Sequence, residues 1–370
     1  MGTAPVLSPA AACDCRSCPW FAGNPSAVEP ICSGRNGSCA YCGCAQAEWG
    51  HRSGACTWCP VRCGSRTDIA QWMADVGGTL SFDDIGPCGP APELPGVVPV
   101  VDGTAGVLHR ALGWPAYGIG LRRVLSDSTW TLTPKWRTAR HAADALGLPE
   151  TCAVVLVGYG TDPLVEGFWT HRHELYELLA AKSFALVLAP NYSIYGNHPR
   201  TEHLLNMRRN LVIADELSAA GVPAVPNLYW WRAEDLRRAA AWAADVSPPA
   251  VAVNLQTFRQ DADWRSMALP GMAYLAGELD PAVRVIVCGT VEPSRVRVLL
   301  RLFGPGRLTF IVQRPIQAAR HGEAIAADGT TRRVYARAEE AFAYSVRSFA
   351  DLLAGAGTDS EQDSEQEVSR

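Results

Sequence analysis

Eight short apolar runs, set among segments of helical periodicity, commit this chain to an α/β architecture. They are Val98–Val101, Tyr117–Leu121, Ala153–Val157, Ala185–Ala189, Ala224–Leu228, Ala250–Leu255, Arg284–Cys288 and Leu308–Val312. Each is rich in Val, Ile or Leu, the pattern of a parallel strand buried on both faces. The clearest helix between them runs from Pro199 to about Ala220. Pro199 suits a first helical position, and Gly221 with Pro223 ends it. Leu204, Met207, Leu211 and Ala214 form its buried stripe. Trp169–Lys182, Asp235–Val246, Pro293–Gly304 and Glu339–Ala354 read as further helices. Eight such β/α units over roughly 250 residues predict a TIM-barrel-like domain. The short crossover between Val101 and Tyr117 keeps an open parallel α/β sheet as the alternative. Gly158-Tyr159-Gly160-Thr161-Asp162 begins like a dinucleotide-binding turn, but Pro163 stands where the third glycine belongs.

Ahead of this body lies a zone of another kind. Ten of the 13 cysteines fall between Cys13 and Cys63: Cys13, Cys15, Cys18, Cys32, Cys39, Cys42, Cys44, Cys56, Cys59 and Cys63. C-x2-C pairs let two thiolates reach one metal from a tight turn, so these ten are candidate ligands for two four-ligand sites. Crowded cysteine with little histidine, and Cys-Pro at Cys18-Pro19 and Cys59-Pro60, favour an iron–sulfur cluster over zinc. The C-x3-C-x2-C order of radical enzymes is absent, because position 66 is Arg66. A disulfide scaffold does not suit a chain that also has a large core of its own.

Residues 1–12 then read as a disordered start, 13–75 as a Cys-rich metal-binding module and 76–95 as a linker. The barrel-like domain spans 96–356, and 357–370 is a disordered acidic tail. That tail holds five acids against Arg370, which accounts for the whole net charge of −4. With 48% hydrophobic and 19% charged residues the chain can bury an ordinary globular core. No run of eighteen apolar residues predicts a membrane helix, and no charged n-region opens a signal peptide, so the expected location is cytoplasmic. Residues 293–337 carry nine arginines against Glu323 and Asp328, a stretch suited either to a phosphate-bearing partner or to exposed helix faces.

Two further strings have a family look. One is Cys39-Ala40-Tyr41-Cys42-Gly43-Cys44 with Cys56-Thr57-Trp58-Cys59-Pro60-Val61-Arg62-Cys63, then Arg66, Asp68 and Ile69. The other is Ala189-Pro190-Asn191-Tyr192-Ser193, followed by Gly221-Val222-Pro223-Ala224-Val225-Pro226-Asn227. Together they resemble an uncharacterised bacterial family, a domain of unknown function found partly on phages and mobile elements. The likeness covers about residues 180–315, with the cysteine zone in addition. It implies a mobile-element context and brings no established reaction.

In such folds chemistry sits at the carboxyl ends of the strands. Those ends supply Asp102, Tyr159, Asp162, Asn191, Tyr192, Asn227, Asn254, Gln256, Thr290, Glu292, Gln313 and Arg314. Asp102, Asp162 and Glu292 are the candidate general acids or bases. Asn191, Tyr192, Asn227, Asn254, Gln256, Thr290, Gln313 and Arg314 are the candidate substrate-binding residues. Amides suit a base or sugar through paired donors and acceptors, although such residues also cap helices and turns. Gly289, Thr290 and Arg314 would form a phosphate site after the last two strands. His171 and His173, two apart on a helix, point away from each other and do not form a metal pair. Two functions follow: an enzyme acting on a nucleotide or nucleic acid, or a non-catalytic nucleic-acid-binding accessory protein with a structural metal module.

Overall fold

The computed structural model describes residues 69–195, 198, 200–304 and 306–368 together with Pro25, and gives the backbone alone for 356–368. The ten cysteines of the predicted metal module lie outside the described residues. The chain divides into two units. One, as far as it is described, comprises residues 69–84 and Tyr192–Val212; the other comprises Ile85–Asn191 and Ile213 onward.

The larger unit is a parallel barrel. Its strands are β1 (Val97–Val101), β2 (Ala116–Gly120), β3 (Ala153–Val157), β4 (Leu186–Leu188), β5 (Ala224–Val225), β6 (Asn227–Leu228), β7 (Ala250–Asn254), β8 (Arg284–Cys288) and β9 (Leu308–Val312). They pair in the order β5-β4-β3-β2-β1-β9-β8-β7-β6, parallel throughout. β5 and β6 are two halves of one segment on either side of Pro226. The first half pairs with β4 and the second with β7, so the sheet closes on itself. Closure selects the TIM-barrel-like reading over the open sheet. The short first crossover suffices because its helix, Gly106–Leu112, needs only two turns.

Alternation along the strands sorts their side chains. Val98, Val100, Val155, Val157, Leu186, Leu188, Val225, Ala250, Ala252, Ile286, Cys288 and Ile311 share one buried cluster, the filled barrel interior. The intervening residues, such as Val154, Leu156, Val251, Val253, Val285 and Phe310, are buried on the other face, under the helices. Ala91 and Leu94 pack against the interior cluster, and Arg284 donates to the carbonyls of Ala91 and Pro92. Trp242 holds the Ile85 carbonyl at 3.0 Å. The stretch expected as a linker is therefore tethered over Ile85–Pro92.

Several helices depart from the periodicity. Trp169–Lys182 is replaced by two helices, Asp162–Thr170 and Arg172–Ala180, with His171 at the junction. Pro163, which spoils the dinucleotide turn, opens the first of them. The last helix, Ala338–Val368, continues through the acidic tail past the expected stop at Ala354, since its Glu, Gln and Ser residues include no proline. A hairpin of Glu323–Ile325 and Thr331–Arg333, antiparallel, has no counterpart among the predicted elements.

In the smaller unit the helix Arg200–Ala219 contributes its residues up to Val212. The apolar stripe accounts for only part of that burial, because Arg200, Glu202, His203, Asn206, Arg208, Arg209 and Asn210 are buried too. Arg208 forks onto both carboxylate oxygens of Asp84 at 2.7 Å each and also donates to the carbonyls of Val76 and Ser81. The guanidinium beside Asp84 holds its carboxyl below the usual range. Gly77, at φ 90°, leaves room for the fork, since a Cβ there would stand 2.8 Å from an Arg208 nitrogen. His203 is buried as well and bonded through Nε2 to the Tyr195 carbonyl at 2.7 Å.

Gly158 follows β3 and donates its N–H to the Leu188 carbonyl at 2.9 Å. A Cβ on Gly158 would collide with that carbonyl and stand 2.7 Å from the Pro190 nitrogen. Both obstacles are backbone, so Gly158→Ala should destabilise the barrel by about 1–3 kcal/mol. Gly277 faces open space in the helix Leu269–Glu278, and Gly277→Ala should stabilise by about 0.5–1 kcal/mol. Urea unfolding of the two variants checks this; equal midpoints would refute the close β3–β4 approach.

Candidate functional site at the barrel mouth

The inward alternation, carried two residues past the interior cluster, brings Asp102, Tyr159, Asn227, Asn254, Thr290 and Gln313 to the carboxyl end of the barrel. The apolar filling ends there and a layer of polar groups begins. Tyr159 packs on the interior cluster from above β3. Its hydroxyl donates to Asn227 Oδ1, and the Asn227 amide donates to the Ala189 carbonyl. The Cys288 thiol lies beside the phenol. One chain of hydrogen bonds thus joins the ends of β4, β6 and β3. Asn254 is buried beside it on β7 and accepts from the Gln256 N–H at 3.0 Å.

Burial sets the charge state of this layer. It pushes the Cys288 thiol up to about 12 and the Tyr159 phenol well above its usual 10.0. Both stay neutral at ordinary pH, so around Tyr159 the mouth presents amides, a phenol and a thiol, with the Asp102–Arg320 ion pair as a charged member of the same layer.

Two side-chain atoms there are unpaired. Thr290 is 5% exposed and Asn191 is 9% exposed, and neither Thr290 Oγ1 nor Asn191 Oδ1 has a hydrogen-bond partner among the described residues. Asn191 follows Ala189 by two residues, and Thr290 follows Cys288 by two.

The remaining predicted residues are placed as follows. Asp102 forms an ion pair with Arg320. Glu292 precedes the helix Pro293–Phe303, pairs with Arg295 at 2.9 Å and accepts from Ser294. Asp162 is the first residue of its helix. Gln256 and Gln313 are exposed. Tyr192 belongs to the smaller unit. There its N–H is bonded to Asn210 at 2.7 Å, and the Arg209 guanidinium lies 3.7 Å over its ring.

The groups expected to hold phosphate have internal work. Arg314 donates to Thr331 of the hairpin at 2.8 Å. Gly289, at φ 90°, gives its empty side to Gln256, whose backbone a Cβ would strike. Arg295 is tied to the Phe258 carbonyl and to Asp261, Arg307 to the carbonyls of Val283 and Leu279, and Arg337 to Glu340. Cys288 was legible only as the last residue of a strand; its even spacing from Ile286 is the signal that puts it in the mouth. Among the described residues no group of three His, Cys, Asp or Glu could hold a metal ion, and no helix is long and apolar enough to cross a membrane.

No family model matches the chain, and no curated protein matches it. Solved structures do align with it. A cube-shaped, highly porous protein cage designed by fusing symmetric oligomeric domains is 15% identical over 75% of this chain and 78% of that one, with a TM-score of 0.42. A structure described as native KDPGal is 15% identical over 72% of this chain and 97% of that one, with a TM-score of 0.40. The barrel assignment rests on the strand ladder itself.

The raised Cys288 thiol fixes a pH dependence. Above the ordinary thiol value of 9.0 the unfolded chain loses this proton while the folded one keeps it up to about 12. Stability is therefore fully present below 9.0 and falls as pH rises toward 12. Cys288→Ser removes the titration. Its stability should fall less steeply than that of the parent over this window, by up to about 1.4 kcal/mol per pH unit. Urea midpoints at several alkaline pH values measure the difference, and parallel curves would refute the enclosed thiol.

Proposed function

We propose that the protein is an enzyme acting on a nucleotide or nucleic acid at the carboxyl end of its barrel, and that Cys13–Cys63 hold a metal centre, iron–sulfur in preference to zinc. The observation that carries the first part is the neutral polar layer of Tyr159, Asn227, Asn254, Cys288 and Thr290 on an otherwise apolar interior. Amides and hydroxyls read bases and sugars through paired donors and acceptors. Of the three candidate acids, Asp102 is the one the strand alternation carries to the mouth. Its carboxylate, oriented by Arg320, is the proposed general base. Asp162 and Glu292 sit at helix starts, where a carboxylate also favours the helix dipole.

The metal centre rests on cysteine spacing alone. It would serve as a staple for the first unit or supply redox chemistry to it. The accessory, non-catalytic reading draws on Arg297 and Arg301, exposed one turn apart on the helix Pro293–Phe303. Five of the nine arginines of 293–337 are engaged within the chain, which favours the mouth over that face.

Full-length protein purified without oxygen should contain iron and sulfide and absorb broadly in the visible. Colourless protein with stoichiometric zinc would reverse the order of metals, and folded metal-free protein would remove the metal centre. Nucleotides and oligonucleotides titrated against the same preparation test the mouth. Asp102→Asn should keep the affinity for a bound substrate and lose its turnover; no binding of any of these ligands would remove the enzymatic reading.

A further inference from the structure

The last helix, Ala338–Val368, packs against the helix Gly106–Leu112 and shows solvent a narrow line of side chains. Between Glu339 and Leu353 only Glu340, Tyr344, Arg347 and Asp351 are exposed. Spacings of three and four residues keep these on one helix face. Arg337, exposed just ahead of the helix, continues the line. A groove of about 550 Å³ is lined by these five side chains together with Ala111, Ala343 and Ser348, which are small and leave it open.

The chain itself satisfies this line only in part. Arg337 forks onto Glu340 through Nε and Nη2. Arg347 gives one nitrogen, Nη2, to the carbonyls of Ala111 and Leu112 at the end of the neighbouring helix. Its other nitrogens and the Asp351 carboxylate have no partner among the described residues. Five large apolar side chains are exposed among the described residues, and three of them attend this line. They are Tyr344 at its centre, Tyr335 two residues before Arg337, and Val107 one turn before Ala111. An aromatic centre flanked by charges is the composition of a protein interface.

The order of charges selects the occupant. From Arg337 to Asp351 the line reads plus, minus, tyrosine, plus, minus. Turned end for end it reads minus, plus, tyrosine, minus, plus, which is its own complement. We propose that this face joins two copies of the chain as an antiparallel helix pair, related by a two-fold axis at Tyr344. Glu340 then meets the partner's Arg347, and Asp351 meets the partner's Arg337. Arg337 and Asp351 both stand seven residues from Tyr344, about 10.5 Å along the axis, so one register serves both arms. The Arg337–Glu340 pair becomes the middle of a four-charge network rather than a competitor to it. A parallel pairing would set each charge against its like. A two-fold contact of this kind closes at two copies.

The test is the oligomeric state of the full-length protein, followed by sedimentation over a range of concentrations. The parent should be a dimer that dissociates on dilution. Glu340→Arg and Arg347→Glu each oppose like charges at both symmetry-related contacts and should weaken dimerisation roughly 10-fold or more. Mixed in equal amounts, the two variants present opposite charges to each other and should recover most of the parent's affinity as a heterodimer. Asp351→Arg breaks no ion pair within the chain, so it should weaken the dimer while leaving Tm unchanged. It keeps the test open if the Arg347 variant, having lost its contact with the neighbouring helix, does not fold. A parent that stays monomeric overturns the proposal. So does a dimer that ignores Glu340→Arg and Asp351→Arg, or a folded pair of variants that fails to associate on mixing. A monomer whose Tm falls in all three variants would assign the face to another part of the same chain, and overturns it too.

Discussion

Barrel closure depends on one five-residue segment with a proline at its centre. Pro226 has no N–H to give to a ladder, so a continuous strand cannot run through it with full pairing. The segment uses the break to change partner. Before it, the carbonyls of Pro223 and Val225 accept from Val187 and Ala189 of the β4 side, at 2.7 and 3.1 Å. At the break the Pro226 carbonyl accepts from Ala252 of β7 at 2.8 Å. The next residue, Asn227, emerges inward at the level where the apolar filling stops. The position that joins the sheet's two edges is thus also the one that aims the central amide of the mouth.

The loops around the mouth are stiffened by contacts between them. The stretch after β7 includes a π-helical turn, Trp264–Ala268, an arrangement that frees a backbone carbonyl. Trp230, just past β6, takes the Met267 carbonyl of that turn through its indole N–H at 3.2 Å. Arg295, after β8, reaches back to the carbonyls of Phe258 and Arg259 and stacks 4.9 Å over Trp264. Three consecutive β/α loops are therefore cross-linked, and Asn254 and Thr290 are set on a supported rim. In the smaller unit the backbone of Tyr192 and Ser193 is fixed in a comparable way. Asn210 pairs with both backbone groups of Tyr192, and Asn206 donates to the Ser193 carbonyl at 2.8 Å.

What could be read in the sequence followed from locality. The runs at 153–157, 284–288 and 308–312 coincide with strands because a strand buried on both faces writes its burial into consecutive residues. Asn227, Asn254 and Thr290 were legible because the end of a strand is a place in the sequence as well as in space. The hairpin escaped because Glu323–Ile325 and Thr331–Arg333 are three residues each, with no apolar rhythm. Its only local mark was Asp328-Gly329, a common hairpin dipeptide. The roles of Arg314 and Gly289 were not legible, since both are decided by residues distant in the sequence or on another strand, Thr331 and Gln256. The buried polar face of Arg200–Ala219 was hidden for a related reason. Arg208 looks like a solvated helix residue until Asp84, far away in the chain, supplies its partner.

The two glycines at the mouth bear on how such a site could change its ligand. Side chains added at Gly158 or Gly289 would meet the backbone of Leu188 or Gln256, so neither position is open to variation. Tyr159 is bonded to Asn227 and lies beside Cys288, so altering it disturbs both. Freedom to alter selectivity then falls to Asn191 and Thr290, whose Oδ1 and Oγ1 bond no other described residue. Relatives of this barrel with different ligands would be expected to diverge at those two sites first, over a floor and a pair of glycines held constant.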